Sequence, residues 1–237
     1  MQAQQYQESE FDLRRSHNQG EIMIAGERLI ASDGHEVALF PMPFLYMTQD
    51  EDGNYSHAGT YNLDFVGYNG SSVITQAPVY APVSMKVISY SPTYTGGNAV
   101  IFESLDTVHL PNGSLDYLTV MFMHDNNPPY TQVGQTVTQG QVCYHTGTYG
   151  QVTGDHVHSC LGQGQGGYFV QRPTGNWDLS NRIHYWDGVY VNDTQIIVGY
   201  GHDWQEWQGG VTPDKYWGEH KKSDFPFVIA KRYWNMF

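Results

Sequence analysis

With 237 residues, the chain is long enough to bury a sizeable core, and its length suits one β-rich domain with extensions. Its 24 Asp and Glu residues outnumber its 11 Lys and Arg residues, and the resulting formal net charge of −13 argues against nucleic acid or anionic membrane surfaces as partners. Six Trp, 18 Tyr, 10 Phe and 26 Gly, with short apolar runs broken by turn residues, indicate a mainly β protein.

The amino-terminal residues 1–20 are polar, rich in glutamine and without a sustained period, which predicts a lead-in segment outside the core. No apolar stretch of the kind found in secretory signal peptides occurs there, so we expect the protein to be made in the cytoplasm without export by that route. The longest apolar run, Val37 to Met47, carries two prolines and is too short to cross a bilayer.

Short β-type segments separated by turn residues follow and predict an antiparallel meander. They are Ile22–Ile24, Val37–Tyr46, Leu63–Gly67, Val83–Tyr90, Ala99–Glu103, Tyr117–Met123 and Val142–His145. A GQGQGG loop then leads into Tyr168–Gln171 and an aromatic-rich region. Because no linker marks a second domain, we expect residues 21–170 to form the core and residues 171–237 to form a β-rich extension packed on it.

The chain has two cysteines, Cys143 and Cys160, whose spacing fits neither a zinc ribbon nor a redox CxxC motif. Two cysteines cannot make a disulfide framework. They are either two buried thiols or one bridge, and we expect thiols because nothing in the sequence predicts export to an oxidising compartment.

Two histidines, His156 and His158, follow a glycine-rich loop in the stretch GDHVHSC. In an extended strand, residues two apart point to the same face, with side-chain origins roughly 6.6 Å apart. The pair can therefore serve one site. The alternative, which this spacing taken alone favours, is two exposed or hydrogen-bonded histidines.

Three further features precede this pair. His57 and Asp64 flank a short loop in SHAGTYNLDF, and His124 ends the strand-like run YLTVMFMH, where loops begin and sites are common. Two Gly-Gln turns surround Val137 in GQTVTQGQV.

Taken in order over residues 55–165, these features resemble the lysostaphin-type zinc metallopeptidases, which cut peptide bonds in bacterial peptidoglycan. The shared motifs are the histidine-to-aspartate element, the lead-in Ala81-Pro82-Val83, the Tyr/Phe-x-His strand end, the GQxVxxGQ turn, the loop Gly147–Gly154 and the His-x-His strand. One such motif is weak, whereas all of them in family order are specific. The resemblance implies a peptidase core of antiparallel sheets that form an open groove.

Carried over residue by residue, the resemblance implies that His57, Asp64 and His158 bind Zn²⁺ and that His124 and His156 are catalytic histidines beside them. Two neutral imidazoles and one carboxylate leave a tetrahedral zinc one open position, as in catalytic zinc sites. Such an ion lowers the pKa of water to about 7 and polarises a carbonyl. The two further histidines would then orient or deprotonate the water, stabilise the oxyanion and protonate the leaving amine.

The sequence departs from the family pattern at one ligand. The family has His-x-x-x-Asp, but the residue four before Asp64 is Thr60, and the nearest replacement is His57, seven before it. This longer interval is similar to that of the tail-knob endopeptidases of short-tailed phages that infect Gram-positive bacteria. The resemblance thus implies a virion enzyme at the phage tail tip, made in the host cytoplasm, with peptidoglycan and phage tail proteins as partners.

A second departure is Cys160, which stands where many relatives have a glutamate. It lies on the histidine face of the expected strand, but we expect it not to be a ligand. The other histidines have no partner at metal-ligand spacing, and we expect surface or hydrogen-bonded roles for them. They are His17, His35, His109, His145, His184, His202 and His220, of which His145 lies nearest the loop before the His-x-His pair.

Other functions stay open at this point. The chain could be an inactive metallopeptidase-like module that binds cell wall or serves as a structural part of a virion, or it could be a late-acting endolysin. The Met-Lys pair in Ser84-Met85-Lys86-Val87 resembles that of biotin-carrier domains, which also contain Gly-Gln turns. In those domains the turns precede the lysine, whereas here they follow it.

Overall fold

The computed structural model describes residues 30–184 except 32, 43–44, 54, 69–71, 94–95 and 111–113, together with residues 190–191 and 194–195. The strands in these residues are β1 (Leu45–Gln49), β2 (Leu63–Tyr68), β3 (Val73–Ile74), β4 (Pro78–Tyr80), β5 (Met85–Ser91), β6 (Ala99–Ser104), β7 (Val108–His109), β8 (Leu115–Asp116), β9 (Leu118–Met123), β10 (Thr136–Val137), β11 (Val142–His145), β12 (Val157–Gln163), β13 (Phe169–Gln171), β14 (Trp177–Leu179), β15 (Arg182–Ile183), β16 (Tyr190–Val191) and β17 (Thr194–Gln195). These paired strands all run antiparallel, and the described residues contain no α-helix. The prediction of a mainly β, antiparallel fold is confirmed.

A nine-stranded sheet forms the centre of the fold. Its main path is β1-β2-β12-β9-β6-β5-β10, with β15 added beside β12 and β3 beside β2. The simple meander expected from the sequence is wrong, because the late strand β12 lies between β2 and β9. Along its length, β12 pairs with β2 near His158 and with β15 near Leu161.

Most of the segments predicted in the described residues coincide with strands to within two residues. The exception is Val37–Tyr46, where the strand begins only at Leu45. The buried chain before it is irregular, and the amides of Ala38 and Leu39 donate to the carbonyls of His109 and Pro82. Pro41 explains the difference, since proline lacks the N–H that a continuous ladder needs. The predictions for residues 1–20, for Ile22–Ile24 and for most of 185–237 lie outside the described residues.

Apolar side chains are buried on both faces of the sheet. The larger cluster includes Leu63 and Phe65 of β2, whereas a smaller cluster on the other face includes Cys160 of β12. Because side chains alternate along a strand, Asp64 and His158 point toward the second face. The alternation thus places two predicted ligands on one side of the sheet.

Both cysteines are buried free thiols, as the sequence predicts. The Cys143 thiol lies 3.4 Å from the carbonyl of Val79, and the Cys160 thiol lies 2.9 Å from a carboxylate oxygen of Asp178. Within the described part of the chain, no helix is long and apolar enough to cross a membrane.

The loop Gly147–Gly154 offers a test of the close packing behind the histidines. A Cβ atom at Gly147 would overlap the carbonyl oxygen of His124, whereas one at Gly154 would meet no heavy atom within 4 Å. We predict that Gly147→Ala lowers the free energy of unfolding by about 1–3 kcal/mol, the usual cost of overpacking. The matched variant Gly154→Ala should stay within about 0.5 kcal/mol of wild type in urea denaturation. Equal stability of the two variants would contradict the packing described.

Candidate metal centre and active site

Three side-chain donor atoms converge at one point on the second face of the sheet. The Nε2 atom of His57 lies 3.2 Å from Oδ1 of Asp64 and 3.2 Å from Nδ1 of His158, and the last two atoms are 2.9 Å apart. Zinc bonds of about 2.0–2.1 Å in tetrahedral geometry put neighbouring ligand atoms roughly 3.3 Å apart. The three donors therefore already stand close to the spacing that a zinc ion requires.

Strand pairing fixes two of these donors. Asp64 on β2 lies directly opposite His158 on β12, so both side chains leave the sheet at the same place. Their neighbours Leu63 and Phe65 are buried in the larger core cluster on the opposite face. A register slip of one residue would move Asp64 into that core, so apolar packing holds the ligand in place.

His57 reaches the site from the loop between β1 and β2 and is fully buried. Its amide donates to the carbonyl of Gly53, and its own carbonyl accepts from both the amide and the hydroxyl of Thr60. Thr60 occupies the position where the family pattern has a histidine. Here it closes the tight turn that brings His57 to the site.

The hydrogen bond of the His57 ring to the backbone places the lone pair on Nε2 when the ring is neutral. Its Nδ1 lies 2.9 Å from the carbonyl oxygen of Asp50, which can only accept, so Nδ1 carries the proton. The side-chain amide of Gln49 donates to Oδ2 of Asp64 at 3.0 Å and to the hydroxyl of Ser56 at 2.7 Å. Gln49 therefore ties the loop to the carboxylate and leaves Oδ1 facing the imidazoles, as supporting groups do in metal sites.

The Asp64 carboxylate and the neighbouring histidines shift one another's pKa values. Burial alone would raise the pKa of Asp64, but the neighbouring His57 and His156 and hydrogen bonds from histidines hold that pKa well below its usual value. Burial alone would lower the pKa of His57, yet Asp64 more than offsets this and raises it. Burial lowers the pKa of His158, which favours the neutral imidazole that a metal binds.

His124 and His156 stand beside the three donors. Their rings are 4.7 Å apart between centroids, and Nε2 of His156 lies 3.8 Å from Oδ1 of Asp64. Each Nδ1 lies 2.9 Å from a backbone carbonyl, that of Tyr149 for His124 and that of Gly154 for His156. Burial and the neighbouring histidines lower the pKa of His124 to about 3, so this ring is neutral near pH 7.

The backbone at His124 is unusual for a non-glycine residue, with φ at +89°. Its amide donates to the carbonyl of Gly97, and a Cβ at Gly97 would come within 2.7 Å of the His124 ring. Strained residues of this kind often occur at functional sites, where the surroundings hold them in place. Gly97 leaves the room that this ring position needs.

A cleft of about 830 Å³ opens onto four of the five side chains, those of Asp64, His124, His156 and His158. Tyr55 and Ser56 line one part of it, and the loop residues 151–155 line another. Its size lies within the range of sites that take small ligands or short peptide segments.

The hairpin of β13 and β14 and the following Arg182 anchor the His57 loop from outside. The side-chain amide of Asn176 donates to the carbonyl of Ala58, and the Arg182 guanidinium donates to the carbonyl of Gly59 at 2.6 Å. In the opposite direction, Asn62 donates to the carbonyl of Trp177. Sequence reasoning missed these positioning residues because no local motif marks contacts over more than a hundred residues. It also missed Gln49, whose contact with Asp64 fifteen residues later carries no sequence signal.

The structure brings together all five residues that the sequence singles out, and their roles stay predictions. Cys160 is directed to Asp178 and is not in the group of metal donors. His145 pairs with Asp125, and His184 pairs with Glu51, so both have hydrogen-bonded roles. Sequence reasoning gave no sign of one other group, Asp33, His35 and His109, which the fold gathers from distant positions.

Comparison with known proteins finds relatives in sequence. No protein-family model matches the chain. Morphogenesis protein 1 of Bacillus phage B103 is 32% identical over 200 residues, which are 81% of this chain and 50% of that protein. The chain therefore spans about half the length of this relative.

Several solved peptidase structures are similar over part of the chain. The catalytic domain of the prophage-encoded M23 protein EnpA from Enterococcus faecalis is 22% identical, with 60% of this chain and 92% of that chain covered and a TM-score of 0.39. The catalytic domain of lysostaphin from Staphylococcus simulans is 20% identical, with 52% and 81% covered and a TM-score of 0.37. A zinc containing peptidase from Vibrio cholerae is 21% identical, with 56% and 42% covered and a TM-score of 0.39.

These alignments describe likeness over about half of the chain. The chain thus resembles lysostaphin-type peptidases in its motifs and their order, and over most of its length it is similar in sequence to a phage morphogenesis protein.

Proposed function

We propose that the protein is a zinc-dependent endopeptidase that hydrolyses peptide bonds in bacterial peptidoglycan. The observation that carries this proposal is the triangle of His57, Asp64 and His158 donor atoms, with sides of 2.9–3.2 Å, beside two further histidines. Two imidazoles and one carboxylate suit zinc and leave one coordination position open. A zinc ion held there would supply Lewis acidity toward a water molecule and a scissile carbonyl.

His124 and His156 have the chemistry needed to move protons. Because each Nδ1 donates to a backbone carbonyl, the neutral ring has its lone pair on Nε2 and can accept a proton from an attacking water. The protonated ring can then donate that proton to the leaving amine. The lowered pKa of His124 keeps this ring in the accepting form near pH 7.

The cleft supports an extended peptide as substrate. It opens beside all of the proton-transferring and metal-binding side chains except the fully buried His57, and the exposed ring of Tyr55 stands at its edge. Digestion of purified walls from several Gram-positive hosts, with mass spectrometry of the released fragments, tests the activity and identifies the bond that is cut.

We predict that His57→Ala removes one equivalent of zinc per chain and abolishes wall cleavage, because one of three protein ligands is lost. Bound zinc is measured by plasma mass spectrometry after gel filtration. The control His145→Ala, which removes a histidine outside the site, should keep the wild-type zinc content. Full zinc and activity in His57→Ala would mean that another residue completes the site. A wild-type protein without zinc would favour the inactive wall-binding module.

We predict that His124→Ala and His156→Ala keep zinc but lose wall-cleaving activity by about 10²-fold or more, the usual scale for a positioned proton-transfer group. His158→Ala should lose one equivalent of zinc together with activity. The comparison separates the two members of the His-x-His pair. If His156→Ala loses as much zinc as His158→Ala, their roles have been assigned wrongly.

The biological setting that we propose is a phage virion, with the enzyme at the tail tip opening the cell wall at infection. Two observations support it: the seven-residue interval from His57 to Asp64, and the sequence similarity to a phage protein named for morphogenesis. We predict that antibodies against the protein label the distal tail of purified particles. Protein found only in the lysate and absent from particles would instead favour a late-acting endolysin.

A further inference from the structure

A second group of metal-binding side chains lies outside the site described above. One carboxylate oxygen of Asp33 lies 2.9 Å from Nε2 of His109, and the other lies 3.4 Å from Nδ1 of His35. One donor atom from each of the three residues lies within 4.8 Å of the other two. The donor set is again two imidazoles and one carboxylate.

The backbone holds these residues in place from both sides. Gly34, with φ at +91°, forms the turn between Asp33 and His35, and its amide donates to the carbonyl of Ala31. The amide of His109 donates to the carbonyl of Glu36, next to His35 in sequence. The turn and strand β7 are therefore joined by main-chain hydrogen bonds, independent of the three side chains.

One atom in this group lacks the partner that a buried polar atom normally has. Nδ1 of His35 is shielded from solvent and makes no hydrogen bond, although the Asp33 carboxylate is 3.4 Å away. A buried donor or acceptor without a partner is destabilising, because it has lost its hydrogen bonds to water. A cation bound between the three residues would satisfy the lone pair of that nitrogen.

We propose that Asp33, His35 and His109 form a second binding site for a divalent cation of the zinc class. Imidazole nitrogens suit zinc and its neighbours in the first transition row, whereas calcium and magnesium prefer oxygen ligands. The half-exposed carboxylate and the partly exposed ring of His35 give the ion access from solvent. Bound there, the cation links the turn at residues 33–35 to strand β7.

The alternative is a hydrogen-bonded His–Asp–His group that binds no metal. It is tested in the full-length chain carrying His57→Ala and His158→Ala, which removes both imidazoles of the first site. Bound zinc is measured after gel filtration, and cobalt absorbance reports coordination by the remaining residues. We expect this double variant to keep one equivalent of zinc.

Three further changes in that background identify the ligands. Adding His35→Ala should reduce bound zinc from one equivalent to none, and adding Asp33→Asn, which preserves the size of the side chain, should weaken zinc binding at least tenfold. The matched control His145→Ala removes a similarly exposed histidine, whose Nδ1 lies 2.9 Å from a carboxylate oxygen of Asp125, and should leave one equivalent. Circular dichroism checks that each variant is folded.

The outcomes separate this inference from the proposed function. If the wild type holds one zinc and the double variant holds none, the second site is absent and the first remains. If His35→Ala removes zinc from the wild type while His57→Ala does not, the second site stands and the proposed catalytic centre fails. Should the double variant not fold, the single variant His35→Ala decides: a loss of one equivalent relative to wild type supports the site, and an unchanged content overturns it.

Discussion

The site depends on one mostly buried carboxylate. Asp64 exposes 11% of its side chain, and a carboxylate so placed requires charge and hydrogen-bond partners to replace its lost hydration. Gln49 donates to one oxygen, while the rings of His57 and His158 converge on the other. The partners that stabilise the carboxylate are thus the same side chains that could bind a metal. The need of the Asp64 carboxylate for such partners therefore accounts for the position of the other two candidate ligands beside it.

Backbone carbonyls determine which ring nitrogen carries the proton in three of the histidines at the site. The carbonyls of Asp50, Tyr149 and Gly154 each accept from the Nδ1 of a histidine, namely His57, His124 and His156. Because a carbonyl cannot donate, each of these rings presents Nε2 as its free nitrogen when neutral. His158 is different, since its Nδ1 faces Asp64. Main-chain geometry therefore orients three of the four rings before any ligand binds, so little reorganisation is needed on binding.

The sequence allowed prediction of the residues whose positions follow from local patterns. His156 and His158 could be placed on one face from the strand period, and the ordered motifs pointed to His57, Asp64 and His124. The insertion of β12 between β2 and β9 could not be predicted, because strand order depends on contacts between distant segments. Gln49 was missed for the same reason, since a glutamine at the end of a strand carries no signal of its contact with a carboxylate fifteen residues later.

The chain beyond residue 170 is coupled to the site through a buried charge. Asp178 is fully buried, accepts from the Cys160 thiol on the strand that carries His158, and pairs with Arg182. Burial and the nearby Asp178 raise the pKa of the Cys160 thiol, which keeps it protonated and able to donate.

Arg182 also donates to the carbonyl of Gly59, two residues after His57. Asp178 also pairs with Arg172 at 3.3 Å, so loss of Arg182 removes one of the two cations beside this buried carboxylate. Loss of Arg182 would therefore destabilise the hairpin and release the His57 loop together, so the stability of this segment and the geometry of the candidate metal centre are linked.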